Sequence, residues 1–443
     1  MAKTLLKMQA EPWAKGSMPR RILYVDHTAK LGGGEIALLH LTQHLDRARF
    51  TPVAILGADG PLREKLQDAQ VEVYVLTIAA SVLETRKDAL GVNTLLRLRD
   101  AWHVGTYVLT LARFMRAQQV DLVHTNSLKA DILGGLAARW AHIPLLWHIR
   151  DRIDADYLPA PVAWAFRHLC RWIPNYVIAN SQSTLETLNL LKPVNSATVY
   201  SGIDIASRVD SASRVDIDSR FGVVHDGVKR QISQVPVVDA GAHSSIRSAS
   251  DPASDFAPTI GLVGRISPWK GQHIFLQAAA QVHQRFPDAR FQIIGSALFG
   301  EEEYEAQIRS LVQTLALEEC VQFLGFRDDV PQLVANFAVL VHASTSAEPF
   351  GQVIVEGMVA HKPVVATDGG GAKEIVVNGE TGLLVPMGDA DAMANAILFL
   401  LKNPEAAAEM GRLGYHRACE LFSIERTVHK IEAVYDKLLP ISQ

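Results

Sequence analysis

Short apolar runs alternate with helical patterns along nearly the whole chain, and no other property of the sequence restricts its fold as strongly. "RILYVDHTA" reads as a buried strand, "LGGGEIALLHLTQHL" as a glycine turn feeding a helix, and "FTPVAILGADG" as a second strand and turn. Further strands follow at "DLVHTNS", "IPLLWHIRD" and "YVIANSQS", separated by helical stretches such as "LKADILGGLAARWA". This alternation is the signature of parallel sheets with crossover helices. It breaks between residues 205 and 257, where "ASRVDSASRVDIDSR" holds a tandem near-repeat and "SSIRSASDPASD" is rich in Ser, Asp and Ala. Such a composition buries too little apolar surface to order itself and reads as a linker or insertion. Beyond it the pattern resumes through "PTIGLVGRIS", "ARFQIIGSA", "CVQFLGFRD", "FAVLVHAS", "KPVVATDGGG" and "GLLVPMGD".

A chain of 443 residues is too long for one ordinary core. The expected fold class is α/β, with two doubly wound, Rossmann-like domains facing a shared cleft. The expected divisions are a tail (1–20), a first domain (21–200), a partly disordered linker (201–258), a second domain (259–420) and a terminal helix (421–443) packing back toward the first domain. Ligands of such sheets bind at the carboxyl ends of the strands, which here line the cleft.

Charge and cysteine usage narrow the function. A net charge of −4 does not suggest a nucleic-acid partner. Residues 20–200 hold 20 Lys/Arg against 16 Asp/Glu, whereas residues 259–443 hold 14 against 22, so the first half is mildly basic and suits anionic substrates or an anionic membrane face. Cys170, Cys320 and Cys419 are far apart and odd in number, which argues against a disulfide framework or a structural zinc site and makes a reducing cytoplasm the simplest home. The opening "MAKTLLKMQAEPWAKGSMPR" lacks the apolar core of a signal peptide, and no run is long enough to span a bilayer, so any membrane contact is expected to be peripheral. The basic amphipathic pattern at 101–119 offers either such a contact, at the inner face, or an ordinary core-facing helix.

Three clusters carry chemistry. In "VGRISPWKG", Arg265 and Lys270 combine a planar donor fork with a mobile point charge, a pairing suited to two linked phosphates; the alternative is a solvated loop with ordinary surface cations. In "SAEPFGQVIVEGM", a helix beginning near Pro349 offers the amides of Phe350, Gly351, Gln352 and Val353 to an anion or sugar oxygen. Glu348 and Glu356 bracket that turn and, about 80° apart on a helical wheel, suit two parts of one extended ligand; alternatively they are a capping acid and an exposed helix residue. In "KLGGGEIA", Gly32, Gly33 and Gly34 form a turn that lets phosphate approach backbone amides. His148 in "WHIRD" closes a strand and either packs there, orients a sugar hydroxyl or shuttles a proton.

Taken together, "GGGE", "WHIRD", "YSGID", "GRISPWKG", "EPFGQVIVE" and "GGGAKEIVVNGETGLLV", in that family's order, make the chain resemble the retaining glycosyltransferases of family 4, which have the two-domain GT-B fold. The resemblance runs from about residue 21 to the C-terminus, apart from residues 205–257. It implies transfer of a sugar from a nucleoside-diphosphate donor to a glycan, lipid-linked or small-molecule acceptor, with no metal and no resident cofactor. Arg265 and Lys270 would hold the diphosphate, Glu356 the ribose hydroxyls and Glu348 the transferred sugar. The backbone from Phe350 to Val353 would meet sugar and phosphate oxygens, and the backbone near Phe326 the base. Gly33 and its neighbours would approach the distal phosphate from the other domain, with His148 near the reacting sugar. Ser201 and Gly357 depart from the family's usual Asn and Ala. A noncatalytic nucleotide-sugar-binding subunit and a GT-B sugar-nucleotide epimerase are the rival readings.

Overall fold

The computed structural model describes residues 18–78, 98–155, 157–190, 195–206, 257–298 and 300–439, without the side chains of 98–101. Most of the inferred linker and the N-terminal tail lie outside the described residues. Alternating strands and helices build the first domain: β1 (Arg20–Asp26), α1 (Gly33–His44), β2 (Phe50–Leu56), α2 (Pro61–Asp68), β3 (Glu72–Val75), α3 (Leu98–Ala117), β4 (Leu122–Thr125), α4 (Leu128–Ala141), β5 (Leu145–Ile149), α5 (Ala160–Leu169), β6 (Tyr176–Ala179), α6 (Gln182–Thr187) and β7 (Ser196–Thr198). The second domain repeats the plan: β8 (Thr259–Val263), α7 (Gln272–Arg285), β9 (Arg290–Ile294), α8 (Glu302–Thr314), β10 (Val321–Gly325), α9 (Val330–Ala335), β11 (Val339–His342), α10 (Gln352–Val359), β12 (Val364–Thr367), α11 (Ala372–Ile375), β13 (Leu383–Val385), α12 (Ala390–Lys402) and α13 (Pro404–Leu421). A last helix, α14 (Ile424–Leu438), follows the Ser423 cap.

The strands of each domain form one parallel sheet, in the orders β3-β2-β1-β4-β5-β6-β7 and β10-β9-β8-β11-β12-β13. Strands β4, β5, β6, β11 and β12 are buried along their whole length, as continuous apolar runs covered on both faces must be. In each sheet the order reverses beside the first strand, between β1 and β4 and between β8 and β11, and such a switch point opens a crevice at the strand ends. One face of the first sheet is filled by α3, α4 and α5 around Trp147. The opposite face carries α1 and α14, whose Ile424, Val428, Ile431 and Tyr435 pack with Ile22, Tyr24 and Leu38. The C-terminal helix therefore belongs to the core of the first domain.

Residues 201–206, which the sequence pattern assigns to the linker, are instead part of the fold. Ile203 is fully buried among second-domain residues and bridges to Ser423. The composition of the following segment disguised an apolar anchor at its start.

Candidate functional site

The site forms where β11 ends. After His342 the chain runs as a loop to Gly351, the N-cap of α10. Glu348 lies in that loop, 8% exposed, and bridges to Gly370. A carboxylate so placed must be paired or it would be expelled or neutralised. Both its oxygens lie 2.9 Å from Lys270 Nζ, Ser344 Oγ donates to it at 2.9 Å, and His342 Nε2 stands 3.3 Å away. Burial opposes its charge, but Lys270 and His342 outweigh burial and hold the carboxyl well below the usual carboxylate range.

Lys270 is delivered by a tight turn, Pro268–Lys270, that ends at Gly271 with φ 70°. A Cβ on Gly271 would stand 1.9 Å from Ala343 O, so only glycine lets the turn press against the end of β11. Arg265 follows β8 and forms an ion pair with Glu301, Nε to Oε2 3.2 Å, while its guanidinium lies 5.8 Å from the Trp269 ring. The two cations expected to form an open cationic pocket are thus each paired with an acid. In a crevice that excludes much of the water, an unpaired cation is costly, and Glu301 and Glu348 supply the counter-charge.

Opposite this junction stands the first turn of α1. Glu35 Oε2 accepts from the amide of the N-cap Gly32 at 3.1 Å. A Cβ on Gly33 would lie 3.7 Å from Gln352 Oε1, at the first residue of α10, so the N-termini of two helices from different domains face one another. Burial, then repulsion from Asp26, pushes the Glu35 carboxyl up to about 8. The domains also touch beside Glu348: Ser181 Oγ and Thr184 Oγ1 donate to Pro349 O, and the Gln182 and Ser183 amides donate to Glu374 at 2.8 and 2.7 Å.

His148 ends β5 and is 1% exposed, inside a hydrogen-bonded row. Its Nδ1 lies 3.0 Å from His124 Nε2 and 3.4 Å from an Arg150 Nη, and His124 Nδ1 lies 2.6 Å from the Tyr435 hydroxyl, itself 3.0 Å from that of Tyr24. Arginine only donates, so His148 Nδ1 accepts, His124 donates through Nε2, Tyr435 donates to His124, and the His148 proton stays on Nε2. Burial keeps both imidazoles neutral, with Arg150 adding to the effect. In that arrangement the neutral His148 ring presents its Nε2–H as a donor that can orient an oxygen. Arg150 also donates to Asn126 at 2.7 Å and to Ser201 at 3.2 Å, and Asn126 donates to Asp26 at 2.7 Å.

The remaining candidates divide. Phe326 follows β10 and is 57% exposed. The Phe350 ring is buried against Tyr200 and Phe422, so only its backbone belongs to the junction, while Gln352, Val353 and Glu356 are half-buried in the first two turns of α10. Gly34 packs against Arg150. Sequence reasoning missed His342, Ser344, Glu301 and Glu374. The one available signal was polar residues at alternate positions in "VHAS", at a strand end that otherwise runs apolar.

Comparison with known proteins agrees with this architecture. The family described as "Glycosyltransferase Family 4" matches residues 31–207, and "Glycosyl transferases group 1" matches residues 248–417. The chain is 30% identical over 307 residues to a D-inositol 3-phosphate glycosyltransferase of Corynebacterium urealyticum, covering 65% of this chain and 72% of that protein. It is 34% identical over 166 residues to the putative glycosyltransferase EpsD of Bacillus subtilis, but that match takes in 38% of this chain and 42% of EpsD, less than two thirds of its length. Among solved structures, Anabaena HepE in complex with UDP and glucose superposes with a TM-score of 0.72 at 27% identity, over 94% of this chain and all of HepE. These matches in sequence and in architecture place the chain in a known family: it belongs to the family 4 glycosyltransferases and has the GT-B fold.

Proposed function

We propose that the chain transfers a sugar from a nucleoside-diphosphate donor to a glycan or lipid-linked acceptor, with retention of configuration and without a metal ion. The observation that carries this reading is the facing pair of helix N-termini, Gly33 of α1 and Gln352 of α10, with Lys270 held at the same junction. Amides at two helix N-termini and a cation supply what a diphosphate needs. HepE, solved in complex with UDP and with UDP-glucose, supports a uridine donor.

As the bond from the anomeric carbon to the phosphate oxygen lengthens, negative charge grows on the phosphate. The Lys270 ammonium has three N–H donors, two aimed at Glu348, and the third is left to meet that oxygen, with Arg265 and the α10 amides beside it. Glu348 then sits beneath the sugar, while Glu356 serves the ribose and the backbone near Phe326 the base. A carboxylate held this far below its usual range is a weak nucleophile, which favours front-face attack over a covalent intermediate on Glu348. In that step the acceptor oxygen bonds to the anomeric carbon, the carbon–phosphate-oxygen bond breaks, and the acceptor's proton passes to the departing phosphate. The His148 Nε2–H is a ready donor to a sugar hydroxyl.

The test is incubation of the purified chain with UDP-sugars, with and without glycan or lipid acceptors, in EDTA. Acceptor-dependent release of UDP with an α-linked product from an α-linked donor is expected. Donor conversion without acceptor identifies an epimerase, nucleotide binding without any turnover identifies a binding subunit, and activity lost in EDTA but restored by a divalent cation removes the metal-free step.

A further inference from the structure

Among the described residues six tryptophans occur, and four of them are far more exposed than an indole in a settled fold: Trp102 at 73%, Trp140 at 60%, Trp164 at 67% and Trp172 at 71%. All four belong to one helical layer, α3, α4, α5 and the turn after it. They do not substitute for core residues, because the inner faces of these helices are already filled by Leu111, Met115, Ala130, Ala137 and Phe166 around buried Trp147. The layer is continuous: α3 is tied to α4 by the Arg116 guanidinium on Trp140 O, and a Cβ on Gly135 of α4 would meet Ile173 of the turn after α5 at 2.9 Å. Leu136, 41% exposed, adds an aliphatic group between them.

The charges of this layer have one sign. From Trp102 onward the helices and the last turn carry Arg113, Arg116, Lys129, Arg139, Arg167 and Arg171, against the single acid Asp131, which is 1% exposed and hydrogen-bonded to Thr125. Arg167 is turned inward to the Thr187 and Ile153 carbonyls, but Arg113, Arg116 and Arg139 are exposed. Indoles partition into the headgroup zone of a bilayer, and arginines beside them pair with lipid phosphates. The exposed indoles share this layer with the exposed Arg113, Arg116 and Arg139, and Asp154, in the loop before α5, is already engaged by Arg152 and Arg167.

We propose that the outer face formed by α3, α4 and α5 docks the enzyme on an anionic lipid bilayer, with Trp140, Trp164 and Trp172 inserted at headgroup depth and Arg113 and Arg139 on lipid phosphates. This goes beyond the sugar-transfer reading and does not depend on it. The face is not the helix 101–119 alone but a three-helix layer.

The test uses the full chain in vesicle flotation with phosphatidylcholine alone and with phosphatidylcholine containing phosphatidylglycerol. Binding to the anionic vesicles at least about tenfold stronger than to the neutral ones, and weakened by high salt, is expected. The combined variant Trp140→Ala, Trp164→Ala, Trp172→Ala loses at least about tenfold of that binding, as does Arg113→Glu with Arg139→Glu, while thermal stabilisation by UDP stays as in the parent chain. Absence of parent binding, equal binding to both vesicles, or variants that bind as the parent overturns the proposal. So does a tryptophan-dependent self-association without vesicle binding, which would assign the face to a second copy of the chain.

Discussion

Lys270 and Glu348 hold each other's charge in the fold, and in the proposed reaction they also meet the donor, so their substitutions separate a structural effect from a chemical one. Removing one partner of a buried ion pair leaves the other charge uncompensated, at a cost of about 3–5 kcal/mol. Lys270→Ala is therefore expected to lower stability by that order as well as to stop transfer. Lys270→Met with Glu348→Gln removes both charges and is expected to recover most of the stability, read by denaturant titration, without recovering transfer. Glu35 sets a pH signature of opposite sense. Its carboxyl titrates near 8 in the fold against an ordinary value of 4.5. Between these values the folded chain holds a proton the unfolded chain has lost, so this contribution to stability falls as pH rises from 4.5 to 8. Glu348 works the other way: its contribution is present above the ordinary carboxylate value and is lost as pH falls toward its depressed one. Glu35→Gln is expected to flatten the slope between pH 4.5 and 8 only, which denaturant midpoints at pH 5 and pH 8 would reveal. An unchanged slope would show that another group carries the proton.

At the scale of elements, the strand-to-helix junction before α10 is shaped by its neighbours. Gly370, with φ 59°, lies so close to Glu348 that a Cβ would stand 2.0 Å from its carbonyl oxygen, so the turn opening α11 braces the loop that presents Glu348. From the other domain, α6 sets its first amides on Glu374. Glu374→Ala is expected to cost about 1–2 kcal/mol, measured by denaturation, because α6 keeps its own Ser181 cap. The elements themselves were readable: the runs around β4, β5 and β11 are largely apolar and broken only by polar residues near their ends, and the glycines before α1 and α10 mark helix starts. The pairings were not. Lys270 and Glu348 are 78 positions apart and Glu374 and Ser183 are 191, and no local periodicity reports which loops a parallel sheet brings together.

Across the whole molecule, the chain crosses between domains more than once. The segment carrying Tyr200 and Ile203 enters the second domain, and α14 returns to fill the first, placing Tyr435 on His124. A terminal helix was expected at 421–443, but the tyrosine that orients a histidine pair 311 and 287 positions earlier left no trace in the sequence. The motif order "GGGE", "WHIRD", "GRISPWKG", "EPFGQVIVE" located the crevice walls, whereas the acids opposing Arg265 and Lys270 required the fold. The central claim is that the diphosphate of a sugar nucleotide lies between the two helix N-termini on Arg265 and Lys270. It is tested most directly by the calorimetric dissociation constants of UDP and of uridine for the parent chain and for Arg265→Gln with Lys270→Gln. Two charge-assisted hydrogen bonds of about 1.5–3 kcal/mol each predict UDP binding weakened about 100-fold or more with uridine binding unaltered; equal UDP affinity in both proteins would contradict the account.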